Sequence, residues 1–220
     1  MFLEKVKEKI NFKRILAVVI SLFIVFQVVA AVIVSEDFLD TDSFCVSERA
    51  EGIIAKPLSQ DEHISWLKGK STEKTLSNAE GTAMEIKNNG TSHSYVIIFH
   101  SLTSNPEDTA SYAKHFYDLG FNVLIPYYIL ETSSMGINEK ILVSKWTNAV
   151  AEWDSEAVIY IFGMGIGGTS AILSTEDSLP DNVKGIISDS AYSDINNTFK
   201  ENVDNVYGLS KFPAIALSSL

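Results

Sequence analysis

The sequence predicts an α/β domain, built on a mostly parallel sheet with helices on both faces, together with one N-terminal transmembrane helix. Three observations carry this. Residues 15–34 form one long apolar stretch without a charge. Between residues 95 and 188, short apolar runs of strand length alternate with segments of helical periodicity. Gly, Pro and Asn punctuate the boundaries, as residues that stop regular structure do.

Residues 15–34 read ILAVVISLFIVFQVVAAVIV, 20 residues interrupted only by Ser21 and Gln27. At a helical rise of about 1.5 Å per residue they span about 30 Å, the thickness of a hydrocarbon core. The stretch is apolar on every face, unlike a helix that packs one stripe against a soluble core. Residues 1–14 carry five basic and two acidic residues, and Glu36, Asp37, Asp40 and Asp42 follow the run. The positive-inside rule then puts the N-terminus in the cytoplasm and residues 36–220 outside. The competing reading is a cleaved signal peptide, because Val29-Ala30-Ala31 offers the small residues of a cleavage site. The run is longer than a signal core, so an uncleaved anchor in the cell membrane is the expectation.

The formal net charge is −11. With +3 on residues 1–14, the remaining 12 basic and 26 acidic residues leave −14 on the rest. Such an acidic body repels phosphates and argues against nucleic acid as a partner; it also serves solubility. Cys45 is the only cysteine, which excludes an intrachain disulfide and a Cys-rich metal site.

The expected organisation is a basic tail at 1–14, the span at 15–34, a linker or cap at 35–81 and the main domain at 82–220. Within the cap, residues 61–68 (DEHISWLK) read as a short amphipathic helix and residues 68–78 as loop. Residues 82–87 (TAMEIK) alternate weakly and read as an edge strand, with Asn88-Asn89-Gly90 as the turn. Residues 95–99 (YVIIF) form a continuous apolar strand. Residues 107–119 are helical, with Ala110, Ala113, Phe116 and Tyr117 near one face and Gly120 as the stop. A strand follows at 122–125, ended by Pro126. Residues 138–153 place Ile141, Leu142, Lys145, Trp146, Ala149 and Trp153 at helical spacing. Residues 157–162 (AVIYIF) form a third buried strand, residues 168–174 a third helix and residues 184–188 (KGIIS) a fourth strand. Strand–helix alternation with continuous apolar strands means a parallel sheet covered on both faces. Sites in such sheets sit at the carboxyl ends of strands. Those ends are His100-Ser101, Pro126-Tyr127, residues 163–167 and Asp189-Ser190.

The segment Phe162-Gly163-Met164-Gly165-Ile166-Gly167-Gly168 runs from a strand directly into a helix. It fits G-x-G-x-x-G literally at Gly163, Gly165 and Gly168, and Asp189 lies at a tolerable spacing for a ribose contact. A dinucleotide turn, however, normally follows the first strand of its domain, and the pattern alone is weakly specific. A P-loop is excluded, because no Gly-Lys-Ser/Thr follows.

The other reading is G-x-S-x-G with the serine replaced. Here residues 80–220 resemble the α/β-hydrolase superfamily, and within it the membrane-anchored bacterial serine-aminopeptidase/esterase-like hydrolases. Residues 96–104 (VIIFHSLTS) are similar to that family's strand ending in His-Gly-x-Thr-Ser. Residues 112–126 match the following helix and strand, and residues 179–192 resemble the next strand with its acidic turn. Tyr207-Gly208-Leu209-Ser210-Lys211-Phe212-Pro213 also matches. The resemblance implies an incomplete α/β-hydrolase fold with Gly163 and Gly167 framing the elbow. It places oxyanion-hole-like backbone N–H groups at Leu102 and Ile166.

The departures from the family pattern bear on function. Gly165 stands at the nucleophile position and has no side chain to attack a carbonyl. The family order is Ser, then Asp or Glu, then His. His63, His93, His100 and His115 all precede Gly165, and no histidine occurs in residues 166–220. Ser101 replaces the glycine of His-Gly, and residues 127–131 (YYILE) replace a Gly-rich loop. The family chain continues beyond Lys211-Phe212-Pro213, so an uncovered sheet edge is expected here, with another protein chain as a candidate partner.

Other side chains offer no replacement. Ser170 points along its helix. Ser101 lies near the strand end, but His100 beside it points to the opposite face and is poorly placed as its base. His100 is expected to pack or hydrogen-bond and to shape the loop, His115 to lie on the surface, and His63 and His93 in exposed segments. No pair of histidines has metal-ligand spacing, so no metal site is expected, nor any cofactor. Asp189 and Asp194 read as solvated loop residues, and Trp146 and Trp153 as core or half-core helix packing. The expectation is a membrane-anchored, extracytoplasmic hydrolase-like protein without serine-hydrolase activity, a binding module or a remnant. The alternative is part of a serine hydrolase whose remaining catalytic elements lie in another chain.

Overall fold

A computed structural model describes residues 12–39, 61–77, 81–88, 91–101, 104–127 and 134–194. The chain divides into two units, one holding the N-terminal helix and the other, Phe38–Ile195, holding the remaining described elements.

Helix α1, Phe12–Leu39, runs 28 residues and contains the whole apolar stretch. Its side chains are described at residues 16–26 and at Val28, Val29 and Val32. All of these are exposed, on every face of the helix; Leu22 is 65% and Phe26 66% accessible. Among the described residues, no helix is long and apolar enough to cross a membrane, so the expected span is not supported by them.

The domain begins with α2, Asp61–Lys70, and β1, Thr72–Thr75. The sheet continues with β2, Thr82–Ile86, β3, Ser94–Phe99, β4, Asn122–Pro126, β5, Val158–Met164, and β6, Val183–Asp189. Three further helices are α3, Ala110–Asp118, α4, Lys140–Trp153, and α5, Ile166–Leu173. The spatial order is β1-β2-β4-β3-β5-β6.

Two expectations are corrected here, the loop at residues 68–78 and the edge position of residues 82–87. The sheet is mixed, with three of its five pairings parallel. β4, β3, β5 and β6 run parallel, whereas β1/β2 and β2/β4 are antiparallel. The stretch expected as loop holds β1, joined to β2 by a short hairpin in which Leu76 N–H donates to Gly81 O at 2.9 Å. A connection that short joins only antiparallel neighbours. β2 is consequently an interior strand between β1 and β4, not an edge. Four of its five residues are buried, which suppresses the alternation an edge strand would show.

Helices cover both faces, as alternation of side chains along each strand requires. Tyr95, Ile97 and Phe99 of β3 pack with Val143, Trp146 and Val150 of α4. Val96 and Ile98 face the other way, toward Leu67 of α2 and Ala110 and Ala113 of α3. The third helix starts at Ile166, two residues before the expected boundary. The poor helix propensity of Gly167 and Gly168 is overridden by tertiary contacts that admit no side chain at either position. α3 is shorter than expected, because Pro106–Thr109 forms a 3-10 turn ahead of it. Among the described residues β6 borders the sheet opposite β1, and its Ile187 is 46% accessible.

The chain leaves β3 toward β4 on one side and leaves β5 toward β6 on the other. The crevice between the carboxyl ends of β3 and β5 is therefore the topological switch point, where open sheets of this kind place their sites.

Candidate functional site

The sequence after β5 turns into α5 through a single residue. Gly165 has φ 55° and ψ −117°, a conformation that costs any L side chain strain and glycine almost none. Its N–H donates to Asp189 O at the end of β6 at 2.8 Å. Its carbonyl accepts the first helical bond from Thr169 N–H at 3.0 Å. The turn is tied to the neighbouring strand and to the helix it starts.

Gly163 and Gly167 are required for a different reason. A Cβ on Gly163 would lie 2.4 Å from Gly167 O, and one on Gly167 would lie 2.2 Å from Phe99 O. Backbone therefore packs on backbone where β3, β5 and α5 meet. Ile166, first in the helix, is fully buried. The first N–H groups of a helix have no acceptor within it. Leu102, the other oxyanion-hole-like position, lies outside the described residues, as do Cys45, residues 128–131 of the YYILE segment and the 207–213 segment.

Ser101 follows β3 and faces the turn. The position a Cβ would take on Gly165 lies 3.0 Å from Ser101 Oγ. Sequence reading put Ser101 near the pocket but not against Gly165, because periodicity carries no information about contacts between distant strand ends. His100 is buried. Its Nδ1–H donates to Ser101 O at 2.8 Å, which assigns the neutral ring its Nδ1–H tautomer, since a carbonyl only accepts. Burial pushes its pKa below the usual histidine value, against the hydrogen bonds to Ser101 and Ser104 and the negative charges of Asp108 and Glu107. His100 is a packed, hydrogen-bonded residue, as expected.

The remaining candidates are dispersed. Ser170 is buried and donates along its own helix to Ile166 O at 2.7 Å. His115 is exposed on α3. His63 is half-buried, with Nδ1 2.9 Å from Ser111 Oγ. His93 lies at the opposite end of the sheet, beside Asp154 and Glu156. Asp189 and Asp194 are exposed. Trp146 is fully buried and Trp153 partly so, edge to face at 6.2 Å.

Sequence reading missed one feature beside the turn. Glu139 is fully buried and accepts hydrogen bonds from the N–H groups of Ser134 and Gly136, both at 2.9 Å, and from the Ser134 hydroxyl. Gly136, at φ 106°, presses on Thr169 of α5; a Cβ there would lie 2.9 Å from Thr169 Cγ2. Thr169 Oγ1 in turn accepts from Tyr192 N–H at 2.9 Å. A glycine shortly before an acidic residue at a helix start was the only hint of this brace.

The strand order, the β5–turn–α5 junction and the two-faced sheet can be compared with known proteins. An esterase of Pyrococcus furiosus superposes with a TM-score of 0.54 at 17% identity, over 69% of this chain and 62% of that one. The chain has an α/β-hydrolase-like fold. The Francisella virulence factor BioJ matches with a TM-score of 0.47 at 15% identity, over 72% of this chain and 58% of that one. An α/β hydrolase enzyme from the metagenome of lagoon sediments at Mar Chica, Morocco, matches with a TM-score of 0.42 at 23% identity, over 67% and 65%. No protein-family model matches the sequence, and no curated protein does either. The chain thus spans less than two thirds of the length of each of these three solved structures.

Proposed function

We propose that the chain is a membrane-anchored α/β-hydrolase-like protein that binds a partner or ligand without serine-hydrolase activity. The observation that carries this reading is Gly165. It occupies the strand-to-helix turn at the switch point, in a backbone geometry suited to presenting a side chain above the sheet, and it has none. Backbone N–H groups at the start of α5 are left as the binding element for a carbonyl or anion.

The anchor is residues 15–34. Its support is the uncharged apolar run and the exposure of the described side chains of α1 on every face, which an apolar surrounding would cover. The basic residues before the run support an extracytoplasmic domain.

Incubation of the full chain in detergent with a fluorophosphonate probe tests the activity. No labelling is expected for the wild type, because the turn presents no hydroxyl. Stoichiometric labelling of a serine in the wild type overturns the reading. A second reading, in which this chain forms part of a divided hydrolase, is favoured by its spanning 62% of the Pyrococcus esterase. On that reading the DNA beside its coding region encodes further strands with an acid and a histidine; finding none there ends that option.

A further inference from the structure

The backbone at Ser101 is pinned. Its carbonyl accepts three hydrogen bonds, from Ser104 N–H at 3.1 Å, the Ser104 hydroxyl at 3.0 Å and His100 Nδ1–H at 2.8 Å. From this fixed position the side chain reaches the turn after β5. A Cβ on Gly165 would meet Ser101 Oγ at 3.0 Å, Ser101 Cβ at 3.4 Å and Ser101 Cα at 3.9 Å. Optimal separations between carbon atoms are about 3.5–4.0 Å, so the Oγ contact is the tight one. The three nearest neighbours of that Cβ all belong to Ser101. At Gly163 and Gly167, by contrast, the obstacles are backbone atoms of several residues.

We infer that Ser101 occupies the space into which a side chain at the turn would project, so that Gly165 and Ser101 form a coupled pair. A residue larger than glycine at 165 is better accommodated when the residue at 101 is smaller. This deepens the proposed loss of hydrolysis and rests on that reading of Gly165. The nucleophile position is empty, and its room is also taken by a hydroxyl from the neighbouring strand end. Reinstating a serine at the turn therefore takes two substitutions before the question of a base arises.

A single variant does not separate this contact from backbone strain, since φ 55° penalises any side chain at 165. A double-mutant cycle does, because the strain is common to both backgrounds and cancels. The cycle compares wild type, G165A, S101G and G165A/S101G, each as the full chain in detergent, by thermal melting. Coupling predicts that G165A lowers the melting midpoint by about 3 °C or more further in the wild-type background than in the S101G background, the shift that about 1 kcal/mol produces in a domain of this size. S101A falls between, because it removes the 3.0 Å contact and keeps the 3.4 Å one. If G165A fails to fold and G165A/S101G melts cooperatively, coupling is supported. If S101G rescues nothing, because the costs add or because both Gly165 variants fail to fold, the inference falls. Probe labelling bears on the activity alone, so an additive cycle overturns the pairing and leaves the activity reading standing.

Discussion

The two ends of the parallel strands are held by different chemistry. At the amino end, side chains stitch one segment to another. Asn122 accepts from Asn88 N–H at 2.9 Å and donates to Ser92 O at 2.7 Å. Asn182 donates to Ala157 O at 2.8 Å, and the His93 ring lies between Asp154 at 2.8 Å and Glu156 at 3.3 Å. At the carboxyl end, backbone meets backbone. Gly163 and Gly167 let β3, β5 and α5 approach within distances a Cβ would occupy, and Gly165 bonds directly to β6. A side chain lost at the amino end removes one or two bonds that water replaces in part. A side chain gained at the carboxyl end forces a strand aside. The switch point is the intolerant end, and its geometry persists although Gly165 presents no reactive group.

The largest expected effect breaks the carboxyl end directly. Gly167→Ala puts a methyl 2.2 Å from Phe99 O and 2.8 Å from His100 O. Neither atom is a flexible side-chain tip, so no cooperatively melting domain is expected, at a cost of more than about 4 kcal/mol. Circular dichroism melting of the full chain measures it, and a midpoint near that of the wild type would remove the distinction between the ends.

A moderate effect is expected at His100. Its folded pKa lies below the value of 6.5 that an exposed ring has. Between these two values the unfolded chain binds a proton that the folded chain does not. The stability is therefore complete above pH 6.5 and declines as pH falls below it. Urea midpoints at pH 7.5 and 5.0 should differ in the wild type. His100→Asn, which keeps a donor near the Nδ1 position but does not titrate, should show a smaller difference. An unchanged pH dependence would mean that the buried ring contributes nothing to it.

The smallest effect is expected at the amino end. Burial raises the Asp154 carboxyl pKa, but hydrogen bonds from the His93 ring and the Glu156 N–H outweigh it and hold the pKa below the ordinary 3.8. The stability this gives is present above pH 3.8 and is lost as pH falls through the lower folded value. The His93 ring is exposed and the pair is partly screened, so His93→Ala should shift the urea midpoint only slightly at pH 6, and less at pH 3. A shift at pH 6 as large as that of a core substitution would place an essential contact at the end described here as tolerant.

Much of the fold was legible because strands buried on both faces announce themselves. β3 and β5 read as continuous apolar runs, and α4 shows Trp146 and Val150 on a buried stripe. β1 was not legible, since TEKT at the sheet edge is exposed or half-exposed throughout and carries no apolar signal. The mixed pairing was not legible either, because direction follows from connections rather than from residue type. At the site, the missing side chain of Gly165 and the position of His100 could be read from residue type and order. The brace around Glu139 could not, since a carboxylate near a helix start is ordinarily solvated, and here three donors hold it in a fully buried position.

By itself the sequence determined an alternating α/β chain, an apolar N-terminal helix and a strand-to-helix turn without a nucleophile. These follow from hydrophobic period, glycine position and residue identity, which are local properties. The tertiary structure alone decided that β2 is interior, that α5 begins directly after Gly165, and that Ser101 stands against the turn. Those are contacts between segments far apart in the chain. They are set by how closely backbones pack where β3, β5 and β6 end, and a Cβ added at Gly165 would come within 3.0 Å of the Ser101 hydroxyl.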